Sequence, residues 1–156
     1  MKRMGNLVAG ALLLVGSVGM LGCERWKAPI VGVNPVVGTW VVHESGAPFP
    51  FHMYVFNADG TMQQANPDAG DPRSSDSDGK GIWIAKDGWI EGKWVEITAD
   101  RSTHQYTGRD EISYRFKVVG DNYAGQDWAN SFDAHGVRTE GPTPPASIEG
   151  KRVTLH

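Results

Sequence analysis

The sequence has a single cysteine among its 156 residues, Cys23, so no disulfide bond can form within the chain. Its five histidines show no spacing typical of zinc ligands. Residues 76–79 resemble part of a calcium loop, but Ala85 stands where the last ligand, a Glu, is needed. The hydrolase motif Gly-x-Ser-x-Gly and the phosphate-binding loop motif are also missing. We therefore predict no metal and no cofactor.

Apolar residues at helical spacing are almost absent after residue 22, whereas 20 glycines and 9 prolines supply many turns. Residues 111–119 alternate between apolar and polar side chains, which is typical of a strand with one wet face. Short β-forming runs separated by turns predict one all-β domain of eight to nine antiparallel strands, either a meander barrel or a sandwich. The expected strands are residues 38–43, 51–56, 61–65, 81–86, 89–99, 111–119, 123–128, 130–134 and 146–155. Residues 66–80 are expected to be a long loop.

Residues 1–22 have the layout of a secretory signal peptide, with Lys2 and Arg3 followed by an uncharged apolar run. Cys23 directly after this run resembles the lipobox of bacterial lipoproteins, although Met20 stands where Leu is usual. The resemblance implies that the Cys23 thiol receives a diacylglycerol and that the leader is removed. An ordinary cleaved signal is the alternative. We predict a signal peptide at 1–22, a lipidated tether at 23–36 and a barrel at 37–156.

The N-terminal residues also bear on the net charge of the mature chain and on the membrane that it is expected to reach. Removing Lys2 and Arg3 with the leader would leave 13 basic and 18 acidic side chains. This acidic balance argues against nucleic acid and anionic lipid as electrostatic partners, so the membrane contact expected is the acyl anchor. Glu24 stands where Asp marks inner-membrane retention in some bacteria. We therefore expect the periplasmic face of the outer membrane.

Two short motifs resemble those of lipocalins and related calycin barrels. Gly38-Thr39-Trp40 is similar to the Gly-x-Trp that opens the first lipocalin strand, and Phe56 with Asp59-Gly60-Thr61 is similar to a hairpin common in these barrels. A disulfide pair and a clear C-terminal helix are missing from the pattern. The resemblance implies an eight-stranded barrel with a ligand cavity open at one end, and it implies that Trp40 plugs the closed end.

Aromatic side chains are spread over the expected strands, where they would either fill the barrel or line a ligand cavity. The candidates for ligand binding are Tyr54, Trp83, Trp94, Tyr114, Phe116 and Trp128. Gly79 and Gly81 share a strand face with Trp83, which suggests open space beside that indole, although the glycines could serve only the turn.

Polar side chains share a face with some of these aromatics. His52 and Tyr54 alternate with Phe56, and Glu96 alternates with Trp94. If that face is inward, His52, Tyr54 and Glu96 could orient a ligand or act as acid–base catalysts. The opposite parity would instead place other side chains in the core: Met53, Val55, Val95 and Ile97.

Three functions remain open at this point. The sequence favours a lipid-anchored barrel that binds a small apolar or amphipathic molecule. An isomerase or cyclase on the same barrel is the second possibility, and a solidly packed envelope-structural protein that binds an unidentified protein partner is the third. A cavity well below about 300 Å³ would exclude the first.

Overall fold

The computed structural model describes residues 32–67 and 71–155, which form ten antiparallel β-strands with no helix among them. The strands are β1 (Gly38–Glu44), β2 (Phe51–Phe56), β3 (Thr61–Ala65), β4 (Ser74–Asp76), β5 (Gly79–Lys86), β6 (Trp89–Asp100), β7 (Tyr106–Val119), β8 (Asn122–Asp133), β9 (Arg138–Glu140) and β10 (Ala146–Arg152). The predicted all-β class is confirmed.

Eight of the strands close into a barrel. Each of β1, β2, β3, β5, β6, β7 and β8 pairs with the next, and β10 lies between β8 and β1. The ring therefore leaves no strand edge unpaired along its path, which is how barrels avoid exposed edges. β4 adds to the end of β6 and β9 to the end of β8, so both short strands extend the wall at one end of the barrel.

Several expected boundaries are wrong in detail. The predicted loop at 66–80 contains β4 and the start of β5, because Ser74–Asp76 pairs with the far end of β6. β7 begins at Tyr106 rather than near residue 111, and the two strands expected at 123–134 are one strand, β8. Polar and glycine-rich composition predicted turns here, but pairing with long neighbouring strands keeps these segments extended.

The inward face of the barrel is the one that carries His52, Tyr54 and Phe56. These three side chains are buried, whereas Met53 and Ile97 are 48% and 55% exposed. The alternative parity, with Met53 and Ile97 in the core, is therefore wrong. Polar residues occupy inward positions because this face is partly a cavity wall rather than a uniform core.

Aromatic rings fill the end of the barrel at which β1 begins. Trp40 is fully buried, its Nε1 donates to the Val36 carbonyl at 2.8 Å, and the Arg152 guanidinium lies 4.2 Å from its ring centroid. Phe116 stacks on Tyr123 with ring centroids 4.0 Å apart. Edge-to-face and stacked contacts of this kind add to the stabilisation from area burial alone. This end is a packed plug, as the lipocalin resemblance implies for Trp40.

Inward glycines make room for these rings. A methyl group at Gly150 would collide with the Tyr123 ring, and one at Gly79 would collide with the Trp94 indole. The space expected beside Trp83 is therefore occupied, because Trp94 packs over Gly79. The prediction of a cavity at these glycines is wrong, and the open volume lies elsewhere.

Candidate ligand-binding site

The cavity lies at the end of the barrel where β1 ends and β2 begins, and we call it the mouth. It has a volume of about 640 Å³ and is bordered by the inward side chains of several barrel strands together with β4 and the 46–49 and 143–146 segments. The side chains used below are Glu44, His52, Gln64, Asp76, Trp94, Glu96, Asp110, Ile112 and Asp127. The volume is within the range of small-molecule sites.

Trp94 and Ile112 form the apolar wall of the mouth, and both are buried. The Trp94 Nε1 donates to the Tyr54 hydroxyl at 3.2 Å, which fixes the indole between the mouth and the packed plug. Tyr54 itself is fully buried and lies behind Trp94 rather than on the cavity surface. An organic ligand in the mouth would therefore meet the Trp94 indole rather than the Tyr54 ring.

Gln64 is an inward side chain of β3, and its three hydrogen bonds fix the orientation of its amide. Its Oε1 accepts from the Gly79 backbone N–H at 2.8 Å, so the other terminal atom is the NH₂ group. That group donates to the Asn66 Oδ1 at 2.5 Å and contacts the His52 Nδ1 at 3.0 Å. The His52 Nδ1 must then be an acceptor, because two donors cannot bond each other.

His52 therefore carries its proton on Nε2 when the ring is neutral. This atom is buried and has no hydrogen-bond partner within the described residues. The Glu44 Oε2 lies 3.6 Å from it, which is beyond a good hydrogen bond. Burial lowers the pKa of His52, while the polar contact of a ring N–H with the Phe49 backbone carbonyl, which is not a well-formed hydrogen bond, acts to a lesser extent in the opposite direction. His52 thus borders the mouth and carries a buried N–H donor that has no well-formed hydrogen bond within the described residues.

Glu44 and Asp127 form a carboxyl pair beside His52. They project from β1 and β8, and β10 lies between these two strands. Burial first, and then the Glu44 charge and hydrogen bond, raise the pKa of Asp127 to about 8. Burial also raises the pKa of Glu44. The Asp127 side chain is only 2% exposed, and its Oδ2 has no hydrogen-bond partner within the described residues.

Glu96 on β6 is a further carboxyl in the mouth. Burial, and to a lesser extent the charges of Asp76, Asp110 and Glu44, raise the pKa of Glu96 to about 8. No Lys or Arg is among the described residues that border the cavity. Neighbouring carboxyl charges therefore add to burial in raising the pKa values of Glu96 and Asp127, and no cation among the described residues of the cavity wall opposes them.

The residues proposed from sequence divide between the mouth and the plug. Trp94, Trp128, His52 and Glu96 border the cavity. Tyr54, Trp83, Tyr114 and Phe116 lie in the buried core beneath it. Ligand contact by the six aromatics, and catalysis by His52, Tyr54 or Glu96, stay predictions.

Sequence reasoning did not single out Glu44, Asp127 or Gln64. A signal was present for Glu44, which has the same parity on β1 as Trp40 and Val42. A signal was also present for Asp127, which has the parity of Tyr123 within the predicted strand 123–128. The Gln64 network depends on Gly79, fifteen residues away across an assumed loop, so no local pattern could predict it.

A second depression, of about 890 Å³, lies on the outer wall between β8, β10 and β1. Val41, Phe51 and Val119 border it and are exposed, together with Lys117 and Lys151. It is open to solvent on the outside of the barrel and contains no buried polar group without a partner among the described residues other than the Tyr123 hydroxyl.

Cys23, the signal peptide at 1–22 and most of the tether at 23–36 lie outside the described residues. Within residues 32–67 and 71–155, no helix is long and apolar enough to cross a membrane. The same residues contain no group of three or more His, Cys, Asp or Glu side chains placed to hold a metal ion.

The fold and the mouth define this chain as a closed eight-stranded antiparallel barrel with one packed end and one open, acidic end. No protein family, curated protein or solved structure matches the chain.

Proposed function

We propose that the chain is an envelope lipoprotein, anchored by acyl chains at Cys23, whose barrel binds a small amphipathic molecule in its mouth. The observation that carries the binding proposal is the cavity of about 640 Å³ with Trp94 and Ile112 on one side and unpartnered polar atoms on the other. A packed structural barrel would fill this volume or leave it lined by satisfied groups.

The two kinds of wall suit an amphipathic ligand. The apolar part of the molecule would cover Trp94 and Ile112, where removal of apolar surface from water favours binding by about 25 cal/mol per Å². The polar part would face His52 and Asp127, whose donor and acceptor atoms without partners have already lost their solvation through burial. Pairing of those atoms by the ligand would offset that loss and orient the molecule.

The binding proposal can be tested with three water-soluble probes that differ only in their polar end: 3-phenylpropylamine, 3-phenyl-1-propanol and 3-phenylpropionate. We expect at least one of them to bind the full-length protein at 1:1 stoichiometry in isothermal titration calorimetry. Ala129→Trp places a large side chain at the cavity wall and should abolish that binding.

The matched control is Ala124→Trp on the same strand, since Ala124 is exposed on the outer wall. Circular dichroism should show that both variants keep the β-sheet signal of the parent. If none of the three probes binds, or if Ala129→Trp binds as the parent does, the mouth is not a small-molecule site.

The anchor proposal is carried by the sequence, with Cys23 directly after the apolar run. Cys23→Ser removes the thiol that would form the thioether and should move the protein from the membrane pellet to the soluble fraction. A matched Ser45→Ala change, far along the chain, should leave the protein in the pellet. Retention of Cys23→Ser in the pellet after an alkaline carbonate wash would contradict the anchor.

A further inference from the structure

The mouth has an unusual charge balance for a small-molecule cavity. Among the described residues, six carboxyl side chains border it: Glu44, Asp71, Asp76, Glu96, Asp110 and Asp127. Arg73 and Arg101 belong to the neighbouring loop but do not border the cavity. The Arg101 Nε donates to the Asp71 carbonyl at 2.8 Å, and Arg73 lies 3.9 Å from the Asp71 carboxylate. The described residues thus bring no cation into the mouth to balance Glu44, Glu96 and Asp127.

An acidic cluster alone would not define a site, but two buried atoms here lack partners. The Asp127 Oδ2 and the His52 Nε2 belong to side chains that are 98% and 92% buried, since their exposed fractions are 2% and 8%. Both side chains border the cavity. A buried polar atom without a partner costs about 1–3 kcal/mol, so a ligand that supplies the partner gains a corresponding advantage.

The free polar atom of Asp127 is a carboxyl oxygen, which accepts hydrogen bonds. Asp127 interacts with the neighbouring Glu44 carboxyl, and its buried Oδ2 has no hydrogen-bond partner among the described residues, so this oxygen is suited to accept a hydrogen bond from a ligand. An anionic ligand head group would meet several carboxyls at short range and would be repelled. A ligand that donates hydrogen bonds and carries positive charge would satisfy Asp127 and relieve the repulsion between carboxyls.

The wall beside the carboxyls favours an organic cation over a metal ion. The Trp94 indole borders the cavity, and an indole face attracts alkylammonium groups as well as apolar surface. The described residues contain no metal-competent group of three ligands, so the carboxyls are spread around the mouth rather than focused on one point. A cation that fills a cavity of this size would carry an organic body.

We infer that the mouth binds an amphipathic organic amine, with its ammonium group at Asp127 and Glu44 and its apolar part against Trp94. The inference rests on the proposed small-molecule function and names the class of ligand. It assigns Asp127 as the main acceptor, Glu44 as its charge partner and Trp94 as the apolar contact.

The same three probes test the class of ligand, because they share one apolar body. At pH 8.5 we expect 3-phenylpropylamine to bind the full-length protein at least tenfold more tightly than 3-phenyl-1-propanol, and 3-phenylpropionate to bind most weakly. Asp127→Asn and Glu44→Gln should each remove most of the tenfold preference while leaving the affinity for the alcohol within about twofold. Glu149→Gln, an exposed change on the outer wall, should leave the preference intact.

A pH titration gives a second readout. The titratable groups of the described residues that border the mouth are Glu44 of β1, His52 of β2, Asp76 of β4, Glu96 of β6, Asp110 of β7, Asp127 of β8 and Asp71 of the adjoining loop. Raised pKa values mean that the bound cation must displace protons at lower pH, so amine affinity should rise at least fivefold from pH 6.5 to 8.5. Affinity for the alcohol should change less than twofold.

Equal or tighter binding of the alcohol or the carboxylate at pH 8.5 would overturn the amine inference and leave the small-molecule function standing. A pH-independent amine affinity would also overturn it. Failure of all three probes to bind would remove the proposed function together with the inference. Displacement of the amine by equimolar CaCl₂ would reassign the carboxyls to an inorganic cation.

Discussion

The two ends of the barrel are built from the same strands with opposite chemistry. At the plug, Trp40, Phe116 and Tyr123 pack ring against ring with little exposed surface. At the mouth, the continuation of those strands carries Glu44, Asp110 and Asp127 around an open volume. The change occurs within single strands: β1 runs from Trp40 through Val42 to Glu44 at positions of one parity.

This difference separates stability from binding in physical terms. Ring packing at the plug needs no ligand, because each ring has neighbours and Trp40 has a hydrogen-bond partner, and the Tyr123 hydroxyl is the one buried polar atom there without a partner among the described residues. The mouth retains buried atoms without partners and carboxyls that repel one another, which costs free energy in the absence of a ligand. Functional sites commonly carry such local costs, and the packed remainder of the fold offsets them.

The largest expected effect is at the plug. Trp40→Ala should lower the free energy of unfolding by about 3–5 kcal/mol, because it removes a fully buried indole and leaves a cavity. Urea denaturation followed by circular dichroism measures the change. Trp89→Ala is the control, since Trp89 lies on the outer wall against Arg115 and Lys117 and should cost about 1 kcal/mol or less. Equal effects of the two substitutions would contradict the packed plug.

A smaller loss of stability is expected at Gly150, where the missing side chain leaves room for the Tyr123 ring. Gly150→Ala should cost about 2–3 kcal/mol in unfolding free energy, because the added methyl would overlap the Tyr123 ring and force it to move. Gly46→Ala is the control, since its methyl would meet only the Ala146 side chain at 3.1 Å. The prediction fails if Gly150→Ala is as stable as the parent by urea denaturation.

The smallest expected effect concerns pH at the mouth. Asp127 and Glu96 have pKa values near 8 in the folded chain, above their ordinary values of 3.8 and 4.5. Between those limits the folded state holds protons that the unfolded state releases, so stability falls as pH rises towards 8 and levels off above it. The lowered pKa of His52 gives the opposite slope, but only below its ordinary value of 6.5.

Between pH 6.5 and 8.5 the effect of the carboxyls is therefore separate from that of His52, and the free energy of unfolding should fall by about 1–2 kcal/mol over this range. Asp127→Asn should flatten this slope by about half and make the protein more stable than the parent at pH 8.5. Glu149→Gln should leave the slope unchanged. A parent protein whose stability is flat or rising across this window would show that the mouth carboxyls are ionised without cost.

The sequence predicted the fold better than the site. Alternation in 111–119 and short strands separated by turns are local signals, and they sufficed for the all-β class. The barrel and Trp40 at its closed end were predicted from the resemblance of Gly38-Thr39-Trp40 to the first lipocalin strand. The inward parity was left open because Met53 and Ile97 are as suitable for a core as Tyr54 and Trp94. Only the closure of the ring decides which face points in, and closure is a property of all eight strands together.

The mouth could not be predicted because its key contacts join distant segments. Glu44 and Asp127 come together because β10 lies between β1 and β8, and His52 is oriented by Gln64 through the Gly79 backbone. Acidic residues in a sequence usually indicate solvated surface. Glu44 is partly buried and Asp127 is buried because they point to the same side of their strands as the core residues. The full length of these strands becomes evident only in the paired sheet.

The position of β10 in the ring has a consequence for how the chain is made. The barrel closes only when Ala146–Arg152 inserts between β1 and β8, and Arg152 then bonds the Val37 carbonyl at 2.8 Å and contacts the Pro35 carbonyl. Contacts between residues more than 100 positions apart form slowly and late. During synthesis, β1 therefore cannot pair with β10 until residues 146–152 have been made. Until then the ring is open between β1 and β8, and these two unpaired strand edges are where chaperones would bind.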